Sequence, residues 1–418
     1  MRIFKFGGAS VKDVKSVKNL LRVLQHEGTD DTLLVISAMG KMTNAFENVV
    51  HAYLYKPEEL QSELSYIASY HLSIVDELFE KSSSIFKELE ILLLQLKAFL
   101  SNNTSVNYNY TYDQIVPFGE LLSTKIVSFY LQENQVENQW LDIRTIIKTN
   151  SNYRNAKVDW PATQENCKQL NAQQLYVTQG FISNDNNHST TTLGREGSDF
   201  TAGILAFCLN AKSVTIWKDV DGVLNADPKI FHDTKLLKEI SYQEAIEMSF
   251  YGASVIHPKT LKPLENKRIP LFVRSFDKLG NQGTKVSKGI DINPKTPCFI
   301  LKKNQILVSI STNDFSFMVE DNLSEIFKLL HECNLKVNLI QNSAISFSVC
   351  LEDNFNQFNE FHLQLKPKYT VKYNTNVSLF TVRHFDEDSK TAIENKGEVL
   401  LKQISRETIQ FVIMANKN

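Results

Sequence analysis

The sequence predicts an α/β protein, a three-layer sandwich around a mainly parallel sheet, followed by a smaller α+β region of ferredoxin-like pattern. Three observations carry this. Short apolar runs recur from Ile3 to Val273 and are continuous rather than alternating, as strands buried on both faces require. Segments of helical period separate them. The segment DINPKTP, Asp291 to Pro297, breaks the pattern with two prolines, and strands and helices beyond it follow the order βαββαβ.

Taken in order, Ile3 to Phe6 reads as a strand ending in Gly7-Gly8. Ser10 is expected to cap a helix whose Val11, Val14, Leu21 and Leu24 share one face. Thr32 to Ile36, Leu175 to Val177, Ser213 to Trp217 and Leu271 to Val273 repeat the buried-strand character. Between the second and third lies a helical segment, about 45–100, in which Leu60, Leu64, Ile67, His71, Ile74 and Leu78 step by fours and threes. Phe86, Leu89, Leu93 and Leu96 continue the stripe after a break at Ser82-Ser83-Ser84. His71 sits on this stripe and reads as a packed histidine, not a ligand.

Two domains are expected, 1–293 and 298–418. In the second, Ile306 to Ile310, Val337 to Ile340, Ile345 to Leu351 and Tyr369 to Tyr373 read as strands, with helices at Leu323 to His331 and Phe355 to Leu363. Strands near Val377 to Val382, Val399 to Ile404 and Thr408 to Met414 begin a second repeat. The chain between them is too short for two helices, so that repeat is expected to be truncated.

Composition narrows the function. With 45 lysines and arginines against 47 acids, and no basic run interleaved with aromatics, the chain lacks the electrostatic footprint of a nucleic-acid binder. No apolar run approaches the roughly 20 residues that span a bilayer, and the N-terminus has no long apolar core, so a cytoplasmic protein is expected. The five cysteines are odd in number and lack CxxC or zinc spacing, which fits reduced, buried thiols.

Phosphate chemistry is suggested by the first strand. Lys5-Phe6-Gly7-Gly8 sets a cation at a strand end, then two residues without side chains, then a helix N-terminus whose N–H groups favour anions. A tight turn with a solvated lysine is the plainer reading of the same residues. P-loop, GxGxxG and GxSxG patterns do not occur, so any phosphate site uses this glycine turn instead.

KFGGASV, Lys5 to Val11, strongly resembles the KFGGTSV signature that opens aspartate kinases. Four further segments match that family in order: Gly119-Glu120, LGREGSDFT from Leu193, WKDVDGVLNADP from Trp217, and YGASVIHPKT from Tyr251. The region after Pro297 resembles the family's ACT regulatory unit. The resemblance implies a carbamate-kinase-like sandwich and phosphorylation of L-aspartate by MgATP, the first step of lysine (diaminopimelate), threonine and methionine biosynthesis. It also implies no prosthetic group and a homodimer formed through the ACT-like region.

Carried over residue by residue, the resemblance makes Lys5, Gly7, Gly8 and Asp199 the catalytic set. It assigns Thr43, Glu120, Arg195, Ser198 and Asp199 to L-aspartate, with Arg195 gripping the α-carboxylate bidentately. Lys5, Gly8, Ser10, Lys218, Asp219, Asp227, Lys229 and Lys259 fall to ATP, and Asn338 and Ser343 to an effector. Taken without the family, Glu120 is a helix residue, Thr43 a helix cap and the Asp-Gly of the 217–228 segment a turn.

Ala9, Glu196, Lys218 and Ser254 depart from the family pattern, where a threonine, a glycine, a threonine and a lysine are usual. Lys218 or Lys259 could supply the cation lost at Ser254. Ala344 replaces a glutamate of the effector segment VxLIxTSEVSVS, which implies weak feedback by lysine or threonine. Alternative readings are a glutamate or N-acetylglutamate kinase, and a catalytically silent amino-acid sensor of the same fold.

Overall fold

Arg2–Phe6 (β1) lies at the centre of an eight-stranded sheet in the computed structural model, which describes residues 1–253, 256–314 and 316–415. Ser254 lies outside the described residues. The other strands are Thr32–Ile36 (β2), Gln139–Leu141 (β3), Tyr176–Gln179 (β4), Ser213–Lys218 (β7), Glu239–Ser241 (β8), Leu271–Ser275 (β9) and Thr284–Ser287 (β10). A separate hairpin pairs Ile182–Asn184 (β5) with Thr190–Thr192 (β6). The sheet order is β3-β4-β2-β1-β7-β9-β10-β8, and every neighbouring pair is parallel except β9 with β10. All five residues of β2 are buried, which explains a run of TLLVI with no alternation.

The chain leaves β1 toward β2 on one side and reaches β7 on the other. Such a reversal leaves a crevice at the carboxyl ends of the strands, where open α/β sheets bind ligands. Lys5 pairs with Ile216 in register, and Lys218 ends β7, so both lysines reach that rim. The alternation of β1 fixes where its side chains go. Phe4 and Phe6 pack on the fully buried Trp217, leaving Lys5 to the other face.

Helix Val14–Glu27 (α1) joins β1 to β2, and Met42–Tyr55 (α2), Pro57–Leu78 (α3), Ile85–Asn102 (α4), Tyr108–Ile115 (α5) and Phe118–Glu133 (α6) follow β2. Further on are Trp160–Cys167 (α7), Gly197–Cys208 (α8), Tyr242–Tyr251 (α9) and Pro258–Lys267 (α10). The expected break at 82–84 falls between α3 and α4. His71 is packed as expected: it is 1% exposed, and its Nδ1–H donates to the Ile67 carbonyl at 2.8 Å.

The cap of the first helix is Asp13 and not Ser10. Asp13 Oδ1 accepts from Ser16 N at 2.8 Å and Ser16 Oγ at 2.7 Å, while Ser10 sits in a 3₁₀ turn and its hydroxyl donates to the Trp217 carbonyl. The glycine turn ahead of it is tight. A Cβ on Gly8 would stand 2.7 Å from the Gly40 carbonyl oxygen and 2.9 Å from that of Ala38, so only glycine lets the two loops meet.

Contacts divide the chain into two compact units, Met1–Val223 with Leu236–Ile246 and Val255–Pro294, and Leu224–Lys235 with Glu247–Ser254 and Lys295–Asn418. The second unit is built on a six-stranded antiparallel sheet, Cys298–Thr312 (β11), Lys336–Asn342 (β12), Ser346–Glu352 (β13), Tyr369–Arg383 (β14), Glu398–Ile404 (β15) and Thr408–Met414 (β16), in the order β12-β13-β11-β14-β16-β15. Its helices are Glu320–Glu332 (α11), Phe358–Leu365 (α12) and Glu387–Glu394 (α13).

The strands β11 and β14 are 15 residues each and pair along both halves of the sheet, with the register shifting between Lys302 and Leu307. One half, with α11 and α12, is the expected βαββαβ pattern around Phe347 and Phe361. The other half has one helix, α13, among the described residues, and takes its fourth strand from Cys298 to Lys302. Its core includes Phe231 of the 224–235 segment, stacked on Phe299 at 5.2 Å.

Candidate active site

A cleft of about 480 Å³ in the first unit is lined by Lys5 from β1, Ser37 after β2, Thr43 from α2, Tyr112 from α5 and Glu120 from α6. Arg154, Phe181, Thr192 and residues Gly194 to Asp199 close its other walls, and Lys218 completes the rim. Of the residues predicted from sequence, Lys5, Thr43, Glu120, Arg195, Ser198, Asp199 and Lys218 therefore share one space.

Two charge relationships organise it. Lys5 Nζ stands 2.6 Å from Asp199 Oδ1. Burial alone would raise the Asp199 carboxyl, but the charges of Lys5 and Lys218 outweigh it and hold it below its ordinary range. Glu120 is the opposite case. Burial pushes it up to about 8, only partly offset by the Ala38 N–H at 3.4 Å, and its Oε2 has no partner among the described residues. A neutral acid at pH 7 thus faces the cleft, ready to ionise for a cation.

Arg195 is exposed, and its guanidinium makes no hydrogen bond or ion pair with a described residue. Glu196, next to it, adopts a left-handed backbone (φ 54°) at the N-terminus of α8, and its Oε2 is buried with no partner among the described residues. His257 caps α10, its Nδ1 accepting from Lys259 N at 3.1 Å. Its ring stays neutral more readily than usual because of burial, with the Lys259 and Arg195 charges acting the same way against Glu196.

The remaining predicted residues line other places. Ser10 bonds to Trp217 behind the glycine turn. Asp219 lines a second cavity of about 720 Å³ along α1, with Ala9, Lys12 and Lys15. Lys259 Nζ donates to Asn155 Oδ1 at 2.7 Å. Asp227 and Lys229 lie in the 224–235 segment of the second unit, where Asp227 Oδ1 accepts from Lys229 N. In that unit Asn338 accepts from Lys302 Nζ at 2.8 Å and donates to Gln305 at 2.7 Å, while Ser343 pairs with Ser346 on an exposed turn.

Arg154, Tyr112 and Thr192 were not singled out from sequence. A signal existed in YNYTYD, where Tyr108 and Tyr112 stand four apart on one helix face, just ahead of a buried Asp113. What that face carries comes from 42 residues further on in the chain, beyond the reach of local pattern.

A mainly parallel sheet that brings a lysine, a glycine turn and a helix N-terminus to its switch point, with Arg154 and Arg195 lining the same cleft, defines an α/β protein handling small anions. The sequence pattern of the amino acid kinase family matches residues 1–275. The chain belongs to the amino acid kinase family and, within it, to the aspartokinases.

The chain is 33% identical to lysine-sensitive aspartokinase 3 of Escherichia coli K12 over 355 residues, covering 84% of this chain and 78% of that protein. It is 29% identical to the chloroplastic bifunctional aspartokinase/homoserine dehydrogenase 2 of Arabidopsis thaliana, covering 83% of this chain but 39% of that one. Two crystal structures of E. coli aspartokinase III superpose on it over 99% of this chain and 96% of theirs. The complex with lysine and aspartate gives a TM-score of 0.84 at 28% identity, and the complex with aspartate and ADP gives 0.81 at 27%.

Proposed function

We propose that the protein is an aspartate kinase, transferring the γ-phosphoryl group of MgATP to the side-chain carboxylate of L-aspartate to give 4-phospho-L-aspartate and ADP. The observation that carries this reading is the meeting of Lys5, Lys218 and Asp199 with Arg195, Glu120 and Thr43 in one cleft. It draws support from E. coli aspartokinase III, crystallised with aspartate and ADP.

The substrate needs no general base, because its carboxylate is already ionised at neutral pH. One carboxylate oxygen attacks the γ-phosphorus as the bond to the β,γ-bridging oxygen breaks and ADP leaves. Lys5, steered by Asp199, meets the charge that builds on the transferring group, and Lys218 flanks it. Arg195 receives the α-carboxylate, Thr43 and Ser198 offer hydroxyls, and Glu120 ionises against the ammonium. The glycine turn and its helix N-terminus cradle the phosphates. Mg²⁺ arrives with the nucleotide, whose phosphate oxygens hold it.

In this reading residues 1–293 catalyse and 298–418, an ACT-like regulatory region, serve mainly to dimerise. Ile340 on edge strand β12 and the nearby Ile345 are about two-fifths exposed, which suits pairing with a second copy. No helix among the described residues is long and apolar enough to cross a membrane, in keeping with a cytoplasmic enzyme at the head of lysine, threonine and methionine synthesis.

The test is incubation with MgATP and L-aspartate, L-glutamate or N-acetylglutamate, trapping the acyl phosphate with hydroxylamine. Hydroxamate from L-aspartate alone is expected. Hydroxamate from another acid in preference, or none from any, overturns the reading.

A further inference from the structure

We propose that Arg154 is a second carboxylate-binding arginine of the cleft, held in place by Asp113, and that it selects an amino acid with a charged side-chain carboxylate over its amide. This rests on the reading that the cleft takes L-aspartate. The guanidinium of Arg154 lies over the Tyr112 ring, 4.5 Å from its centroid, and 5.3 Å from that of Tyr108. Stacking holds a guanidinium by its face and leaves the donors at its edge free. Those donors meet no acceptor among the described residues, although Arg154 lines the same cleft as Arg195.

The backbone beneath it is fixed. Arg154 has a left-handed φ of 68°, and its N–H donates to Asp113 Oδ2 at 2.9 Å. Asp113 is fully buried and also accepts from Thr192 N at 2.9 Å and Thr192 Oγ1 at 2.8 Å, and Thr192 lines the cleft. One buried carboxylate therefore ties the arginine loop to the end of β6. Burial of a carboxylate without a bonded cation is costly, and three donors on two oxygens offset that cost only in this arrangement. The hydroxyl of Tyr112 donates to Glu47 Oε1 at 2.8 Å, which holds the aromatic shelf as well.

Charge matching assigns the ligand. L-Aspartate carries two carboxylates and one ammonium. Lys5 is paired with Asp199, and it and Lys218 flank the phosphoryl path, which leaves Arg195 and Arg154 for the two carboxylates. Arg195 takes the α-carboxylate. Arg154 takes one oxygen of the side-chain carboxylate, the one that becomes the carbonyl oxygen of the acyl phosphate, and the other oxygen is free to attack. Because that oxygen loses charge as the phosphoryl group arrives, Arg154 holds the bound substrate more than the transition state.

Substitution should therefore raise the KM for aspartate and spare kcat. For Arg154→Gln we expect a ten- to hundredfold weaker binding of L-aspartate, an unchanged KM for ATP and kcat within a few-fold. L-Asparagine, which offers no charge there, should bind both forms alike, so the preference for aspartate narrows by the same factor. Asp113→Asn acts as a positioning variant. It should weaken aspartate in the same direction and add little on top of Arg154→Gln, as coupled residues do.

Calorimetric titration of L-aspartate and L-asparagine into the wild type, each single variant and the double variant reads this without turnover. A wild type that does not bind aspartate removes the aspartate reading and this assignment with it. If the wild type prefers aspartate and Arg154→Gln keeps the full preference, the role of Arg154 alone is overturned. Equal loss of both ligands and of ATP in Arg154→Gln, with Arg154→Lys restoring nothing, marks a structural role and also overturns it.

Discussion

Lys5 Nζ and Asp199 Oδ1 are 2.6 Å apart, with side chains 10% and 6% exposed, at the end of the central strand. The aspartate fixes where the ammonium stands, and no large rearrangement is needed when charge develops beside it. Preorganised charge of this kind acts on the transition state. Lys5→Met should lower kcat about a hundredfold or more and change the KM for aspartate far less. Steady-state rates of ADP release check this, and an unchanged kcat removes Lys5 from the mechanism.

Arg195 is exposed, and its guanidinium is free of partners among the described residues, so its bonding capacity is open to a ligand. Arg195→Lys keeps the charge and loses the planar fork. A charge-assisted bond lost is worth roughly 1.5–3 kcal/mol, or about tenfold to a hundredfold in affinity. Apparent aspartate affinity should fall by that amount while ATP affinity holds. Saturation curves for both substrates decide it, since equal weakening of the two means a folding defect.

The parts of this site legible in the sequence are those carried by local order. A lysine before two glycines, an arginine and aspartate around a helix N-terminus, and a strand ending in Trp217 and Lys218 are each set by a few neighbouring residues. The parts missed depend on contact across the chain. Arg154 sits in a polar loop, and its place is set by Asp113, 41 residues earlier. The strands β3, β8 and β10 run three to four residues each and carry few of the apolar side chains that mark the inner strands. The β6 strand is three threonines, buried because the hairpin is covered, and no apolar run announces it. In the second unit the Phe231 side chain fills part of the core of the shortened repeat, from a segment some 60 residues before the expected boundary.

Glu120 gives a pH signature. Its folded-state pKa is about 8, raised from an ordinary 4.5 by burial. A raised pKa means that its contribution to stability is complete below about 4.5 and is lost as pH rises through about 8. Glu120→Gln removes that loss, so the variant should gain Tm relative to the wild type between pH 5 and pH 9. Aspartate binding should move the opposite way. The ammonium needs the ionised carboxylate, so apparent affinity of the wild type should rise by up to about tenfold per pH unit from pH 6 to 8 and then level. The variant's affinity should be lower and flat across that window. A wild type with no slope there would mean that Glu120 keeps its proton when substrate binds.

Regulation turns on Asn338 and Ala344 in the second unit. An amino-acid effector presents an ammonium that needs an acceptor. Ala344 offers only its backbone carbonyl, and that oxygen already accepts from Met318 N at 2.9 Å. The other candidate acceptor, Asn338 Oδ1, is occupied by Lys302 Nζ at 2.8 Å, from the long strand β11 on the far side of β13. An effector ammonium would have to displace a cation that is covalently part of the protein and so always present. Losing one charge-assisted contact costs about tenfold to a hundredfold in affinity. Inhibition by lysine or threonine at sub-millimolar concentration is therefore expected to be weak or absent. Lys302→Met should strengthen any inhibition, because it frees the Asn338 oxygen. Activity at subsaturating aspartate, titrated with each amino acid singly and together in both forms, checks this. Strong inhibition of the wild type that is lost on changing Asn338 or Ser343 would show that this corner senses despite Ala344 and Lys302.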